Sequence, residues 1–277
     1  MVEFTSVESW LRSRRVLEHW NEDWLPYLFV LPTTVFLAVL IWGMFLRGIW
    51  MSLHVWPLVG ANRWVGLHNY AYLLQWQPFH TALWVTAIYG SATVFQLLIA
   101  LLSALAVVHV EDGRLKTLII GIFILPYAVP QVVTGTIWSY LLNPNFGPIT
   151  AWLLHFNVLS QPLYWGTRGG SALAVITWVS TWTFWPFMFL ILMASLESIP
   201  SSYYEAAHVY GASRWDMFRR ITLPQIKSAI LITFVIRLTW NLIKIAQPFQ
   251  LTKGGPGYST SVLGVLVYRF AFKQQAM

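Results

Sequence analysis

Five long stretches of this chain, about 25–50, 81–108, 117–142, 171–196 and 226–249, are strongly apolar and contain no aspartate or glutamate. A helix needs about twenty apolar residues to cross a hydrocarbon core of roughly 30 Å, and each stretch is long enough. In lipid every backbone N–H and C=O must be satisfied within the segment, so such runs fold as helices. Only 10% of the residues are charged and 57% are hydrophobic, whereas a soluble domain carries roughly a quarter charged residues. The expected fold is all-α, a polytopic membrane bundle of five spans.

Charge then sets orientation. The net charge of +7 does not point to nucleic acid, because the basic residues lie in short segments between apolar runs. With the N-terminus inside, the inner segments hold Arg12, Arg14, Arg15, Arg114, Lys116, Arg214, Arg219, Arg220 and Lys227, against five on the outer side: Arg63, Arg168, Lys253, Arg269 and Lys273. Arg47, Arg237 and Lys244 fall inside or at the edge of spans. All ten acids fall in the N-terminal tail, at Glu111-Asp112, or between Glu197 and Asp216, so the outer face is expected to be basic throughout. Such a face suits an acidic partner surface. Residues 1–24 read as a cytoplasmic tail and 25–277 as the membrane domain, with a cytoplasmic loop at 197–225.

Proline punctuates the spans. Pro26 opens the first and Pro32 is expected to bend it, while Pro126 and Pro130 break the third. The fourth carries Trp178, Trp182, Trp185 and Pro186. After Leu251-Thr-Lys-Gly-Gly-Pro-Gly257, the apolar segment Thr260–Phe272 is too short to cross and is expected at the outer surface.

The polar interruption Glu205–Pro224, EAAHVYGASRWDMFRRITLP, reads as two short helical pieces around a glycine. Ser201 or Ser202 can cap the first piece, with Glu205 in an early turn. Gly211 frees the backbone, Ser213 can cap again, and Pro224 is expected to end the second. A solvated loop helix would account for this. The spacing goes further. Glu205-Ala206-Ala207, three residues, Gly211, nine residues, then Ile221-x-Leu223-Pro224 resembles the EAA loop of permease subunits in bacterial and archaeal ABC importers. Gly66-Leu67-x-Asn69-Tyr70, Leu125-Pro126, Trp138…Asn143-Pro144-x-Phe146-Gly147, Trp240-Asn241 and Leu251-Thr-x-Gly-Gly-Pro256 resemble the sugar-permease branch related to maltose and glycerol-3-phosphate permeases. That family has at least six spans, the last following Tyr268–Phe272, whereas five are visible in this sequence.

The resemblance implies a permease subunit in the prokaryotic cytoplasmic membrane that moves a di- or oligosaccharide or related polyhydroxylated solute by alternating access. It implies a second homologous permease, two ABC ATPase subunits that hold ATP and Mg, an extracytoplasmic solute-binding protein and surrounding lipid. No cofactor, metal or nucleic acid is expected on this chain. Glu205, Ala206, Ala207, Gly211, Ala212, Arg214, Leu223 and Pro224 would then form the coupling element. Two alanines let a helix seat closely in a partner groove, and flanking side chains supply polar grip.

A solute path can be sought among polar groups inside spans, where charge is costly without a partner or a watery cavity. Arg237, Trp240, Asn241 and Lys244 are spaced i, i+3, i+4 and i+7, one face of a helix. An indole can stack on a sugar ring while amide and cations donate to hydroxyls. The resemblance adds Phe184 and Phe187, which flank Trp185-Pro186. Equally, Arg237 and Lys244 could snorkel or pair with a partner helix, Arg237 being the more structural of the two, and the tryptophans could serve packing or interface anchoring. An anionic solute remains an alternative, as does a stand-alone carrier or channel. The chain has no G-x-x-x-x-G-K-[ST], no H-E-x-x-H and no cysteine, so it is not expected to be an enzyme.

Overall fold

The computed structural model describes residues 5–57 and 60–273, with residues 5–23, 25 and 273 described through their backbone alone. The side chains of Arg12, Arg14 and Arg15 therefore lie outside the described part. The chain divides into two compact units, residues 1–73 and 74–276.

In the first unit, α1 runs from Thr5 to Ser52, so the expected tail is helical from Thr5 and continuous with the first span. Its segment Pro26–Ser52 is long and apolar enough to cross a membrane. A two-residue ribbon follows, with β1 (His54–Val55) antiparallel to β2 (Arg63–Trp64). Asn69, in α2 (His68–Gln75), donates to the carbonyls of Ser52 and His54 at 2.8 and 3.0 Å. The Tyr70 hydroxyl meets Ser52 Oγ at 2.6 Å. The Gly66–Tyr70 motif is thus a clamp that closes the ribbon onto the end of α1.

The second unit is built on α8 (Gly169–Glu197), flanked by α3 (Gln77–Gly90), α4 (Ala92–Val107), α5 (Arg114–Ala128) and α11 (Leu223–Leu242). Ala92, Ala100 and Ala104 are fully buried on α4. Small side chains let helix backbones approach closely, the favoured way to hold helices together in lipid. Around α8 the buried side chains form two clusters. One gathers Tyr89, Trp138, Trp165, Ile176 and Val262; the other gathers Trp185, Met188, Phe189, Leu192 and Ile226. The tryptophans of α8 divide accordingly: Trp185 packs edge-on to Phe123, Trp178 and Trp182 box Trp138, and Trp178 keeps its outer side exposed.

Among the described residues four helices are long and apolar enough to cross a membrane, and one bent pair supplies a fifth passage or a re-entrant loop. That pair is α5 and α6 (Gln131–Leu141), which meet at 94°. The expected break is present. Proline pushes the residue before it into extended geometry, and Val129, before Pro130, has φ −77° and ψ 128°. Beyond it, α7 (Pro148–His155) lies in the loop before α8.

One expectation is corrected. The fifth span does not run to Phe249: α11 ends at Leu242, and α12 starts afresh at Ala246 and ends at Thr252. A proline ring clashes with the carbonyl four residues earlier, so Pro248 is incompatible with a straight helix through Lys244. The segment Thr260–Phe272 packs partly into the bundle and leaves Val267 and Phe272 exposed. It contains α13 (Leu263–Tyr268), with Val262, Val265 and Leu266 buried, and the Leu263 N–H donates to Thr86 Oγ1 of α3 at 2.8 Å.

Gly264 makes that seat possible. A Cβ there would lie 2.6 Å from Ile245 and 3.2 Å from the Lys244 carbonyl. Gly264→Leu is expected to lower the thermal midpoint of the detergent-solubilised protein, by an overpacking cost of about 1–3 kcal/mol. The same change at Gly121, which has open space around it, is the control and should leave the midpoint in place.

Candidate solute cavity and coupling loop

The break between α5 and α6, the middle of α8, the end of α11 and Lys244 just beyond it line an open cavity of about 470 Å³. Ligand sites run from about 300 to 1,000 Å³, so it has room for a small solute. Its wall is the turn Tyr127–Gln131 together with Phe184, Arg237, Trp240 and Lys244. Helix rules place Arg237 and Asn241 on one side of α11 and Trp240 about a quarter of a turn from Asn241. The structure uses that division.

Arg237 and Asn241 turn into the bundle and are fully buried. The Arg237 guanidinium donates to Gln96 Oε1 at 3.2 Å and to Asn241 Oδ1 at 2.8 Å. Asn241 passes the bond on to Thr93 Oγ1 at 2.9 Å, and Gln96 donates to the Ser180 carbonyl at 3.1 Å. A second buried chain runs beside it, with Tyr89 donating to Gln247 and Gln247 to Thr183. These bonds tie α4, α8 and α11 together where no water can compete.

Phe184, buried in α8, receives both cations. The Arg237 Cζ lies 4.4 Å and the Lys244 Nζ 4.2 Å from its ring centroid. Trp240 is half exposed toward the cavity and tilts against Phe187 at 5.0 Å, and Tyr127 meets Phe187 at 6.0 Å. Of the six residues anticipated here, Phe184, Arg237, Trp240 and Lys244 reach the wall. Phe187 backs Trp240, and Asn241 belongs to the buried network. The single-face reading therefore fails in two places, since Asn241 points inward and Lys244 lies beyond the helix end. Gln96, Tyr127 and Gln131 were not anticipated. Gln96 is the one amide in α4, which is the signal that could have found it.

The polar interruption differs from its expected form. α9 covers Ser201–Val209 and its N-cap is Pro200, so neither Ser201 nor Ser202 caps it, and Glu205 is mid-helix. Helix α9 ends on Gly211 at φ +71°. The Gly211 N–H donates to the His208 carbonyl at 3.0 Å and the Ala212 N–H to that of Ala207 at 3.0 Å. This is the Schellman ending, which needs a left-handed residue and so favours glycine. Ser213 does cap α10 (Arg214–Met217), accepting from the Asp216 N–H at 3.1 Å.

Pro224 does not end this second piece. Phe218–Thr222 widen into a π turn and α11 follows without a gap, Pro224 sitting in its first turn. The wider turn absorbs the hydrogen bond that proline cannot make. Arg214–Leu242 is consequently one continuous helical run from the loop to the cavity.

Two contacts fix the loop's base. The Tyr204 hydroxyl meets Thr222 Oγ1 at 2.9 Å. Lys116 Nζ bridges Asp112 at 2.7 Å and Glu197 at 2.8 Å, joining the loop before α5 to the end of α8. Beyond that base Glu205, Ala206 and Arg214 are exposed, Ala207 and Ala212 are half-buried, and Leu223 and Pro224 face outward at the start of α11. Val209 and Tyr210 are 86% and 90% exposed, and Trp215, 67% exposed, tilts against Phe218 at 5.5 Å.

Comparison with known proteins gives a consistent result. The family model described as binding-protein-dependent transport system inner membrane component matches residues 96–277. The trehalose/maltose transport system permease protein MalF of Thermococcus litoralis is 30% identical over 253 residues, covering 91% of this chain and 84% of that protein. The sn-glycerol-3-phosphate transport system permease protein UgpA of Escherichia coli O157:H7 is 31% identical over 254 residues, covering 90% and 84%. Among solved structures, a bacterial ABC transporter involved in import of the acidic polysaccharide alginate contains a chain that superposes with a TM-score of 0.79 at 24% identity, over 95% of this chain and 89% of that one.

Proposed function

This chain belongs to the family of binding-protein-dependent transport system inner membrane components, and from that premise we propose how its parts work. It is an integral inner-membrane permease of an ABC importer. In our reading the solute is a sugar or related polyhydroxylated molecule, and the chain works with a second homologous permease, two ATPase subunits that hold ATP and Mg, and an extracytoplasmic solute-binding protein. One solved relative is a bacterial alginate ABC transporter in complex with a periplasmic protein carrying alginate pentasaccharide, which supports the last of these partners.

The observation that carries the reading is the continuous run Arg214–Leu242, which links the capped loop to the cavity wall. Helix α9, presenting Glu205, Ala206 and Ala207, is the part that a partner can grip. When the ATPase pair closes, it displaces α9. The Tyr204–Thr222 contact and the Ser213 cap pass that displacement to the base of α11. At the far end of the same rod stand Arg237 and Trp240, where movement against Phe184 and the Tyr127–Gln131 turn changes the cavity's shape. Alternating access follows if the two ATPase states favour different positions of this rod. In our reading the N-terminus lies in the cytoplasm.

The test is purification of the tagged chain from detergent extract. A P-loop ATPase is expected to come with the wild type. Glu205→Arg, on an exposed face, should reduce it about tenfold or more, as for one central interface residue. A wild-type preparation that transports solute with no ATPase bound would overturn the reading in favour of a stand-alone carrier.

A further inference from the structure

We propose that the cavity selects solutes bearing an anionic group, a carboxylate or a phosphate, on their polyhydroxylated body. The inference rests on the permease reading above and names the class of solute for that same cavity. Its ground is a charge imbalance. Arg237 and Lys244 stand on one ring, that of Phe184, which is buried in α8. The guanidinium's hydrogen bonds go to Gln96 and Asn241, which are neutral and satisfy donors without supplying charge. Ion pairs among the described residues use Asp112, Glu197 and Asp216, none of which lies in the cavity wall. The sequence has no acid at all between Thr117 and Leu196 or between Met217 and Met277.

Two like charges in a poorly solvated wall repel each other and lack the water that would screen them. A neutral sugar relieves neither problem. An anionic group entering beside Lys244, which is half-buried at the cavity edge, relieves both, with the fully buried Arg237 adding to the potential from behind. The rest of the wall suits the remainder of such a solute. Trp240 offers a face for a sugar ring, and the Gln131 amide and Tyr127 hydroxyl can bond its hydroxyls. A carboxylate from the partner permease could instead neutralise the pair, and the experiment separates that case.

The sequence contains no cysteine, so Gln131→Cys gives this chain a single thiol in the cavity wall. In the ATPase-bound complex its rates with anionic sulfonatoethyl and cationic trimethylammonioethyl methanethiosulfonate are compared, each normalised to a free thiol. The anionic reagent is expected to be favoured about tenfold at low salt, as for a cleft lined by charges of the opposite sign, and less so as salt rises. Lys244→Gln should remove most of that preference and Lys244→Arg should retain it. Labelling by a neutral methanethiosulfonate should be slowed by glucuronate or by sn-glycerol 3-phosphate and not by glucose. Slowing by the first alone assigns a carboxylate, and by the second alone a phosphate.

A ratio at or below that of the free thiol means that a partner carboxylate fills the site, and overturns the proposal. So does equal slowing by glucose, slowing by neither anion, or no labelling at all. Co-purification of the ATPase is scored separately. Its absence would count against the permease reading, whereas an ATPase-bearing complex without anion preference counts against this inference alone.

Discussion

Gly211→Pro is expected to cut ATP-driven uptake by roughly 30- to 1,000-fold while the membrane helices stay folded, the equivalent of about 2–4 kcal/mol against the docked loop. The residue sits at φ +71°, which proline's ring forbids, and its N–H is one of the two bonds that close the end of α9. A left-handed conformation costs an ordinary residue about 1–2 kcal/mol, and a lost hydrogen bond adds about 1. A Cβ at this position would touch nothing within 4 Å, so the constraint is conformational and not one of space. That distinction sets an order for the variants. Asparagine, which tolerates the left-handed region, should keep most uptake; alanine should lose about fivefold to thirtyfold, from strain alone; proline should lose the most. Uptake is measured in proteoliposomes beside the amount of ATPase bound. Equal activity of the alanine and proline variants would show that the cap does not transmit the stroke.

Arg237→Leu carries the second large effect, on stability. Leucine fills much of the buried volume but leaves Gln96 Oε1 and Asn241 Oδ1 without their donor. Each stranded buried acceptor costs about 1–3 kcal/mol, toward the lower end in lipid, so about 2–4 kcal/mol is expected in total. Arg237→Lys should recover little of it, since one ammonium lacks the planar fork that reaches both acceptors. Adding Gln96→Leu should restore part of the loss, because a pair removed together leaves nothing unsatisfied on that side. Thermal unfolding of the purified complex, followed by tryptophan fluorescence, reads all three. If Arg237→Leu alone unfolded at the wild-type temperature, the buried network would not hold α4 and α11 together.

The two predictions differ in how far a reader of the chain could have foreseen them. Gly211 and Ser213 are legible because capping is local: a left-handed residue and a side-chain acceptor act within one turn. The α5–α6 break is legible for the same reason, since proline dictates its neighbour's backbone wherever it sits. Asn241 and Lys244 are different. Helical spacing puts them on one face with Arg237, but the face is interrupted by Pro248 four residues beyond Lys244. Asn241 then completes a hydrogen-bond chain to α4, which no property of α11 announces. Tyr210 and Trp215 stayed unmarked for a related reason. An aromatic in a loop becomes informative only once its neighbours are seen to leave it uncovered.

The sequence by itself determined that the chain lives in a bilayer, that it holds five long apolar stretches, and that the third of them breaks at Pro130. The scarcity of charge and the placing of proline and glycine act on each segment without reference to the others. It also determined the glycine-centred loop motif from Glu205 to Pro224, whose spacing is contained within twenty residues. Only the tertiary structure decided which polar groups hold the bundle together and which face the cavity. A buried donor chooses its acceptor from another helix, so Arg237 becomes a strut through Gln96 and a source of potential through Phe184 only when α4, α8 and α11 meet.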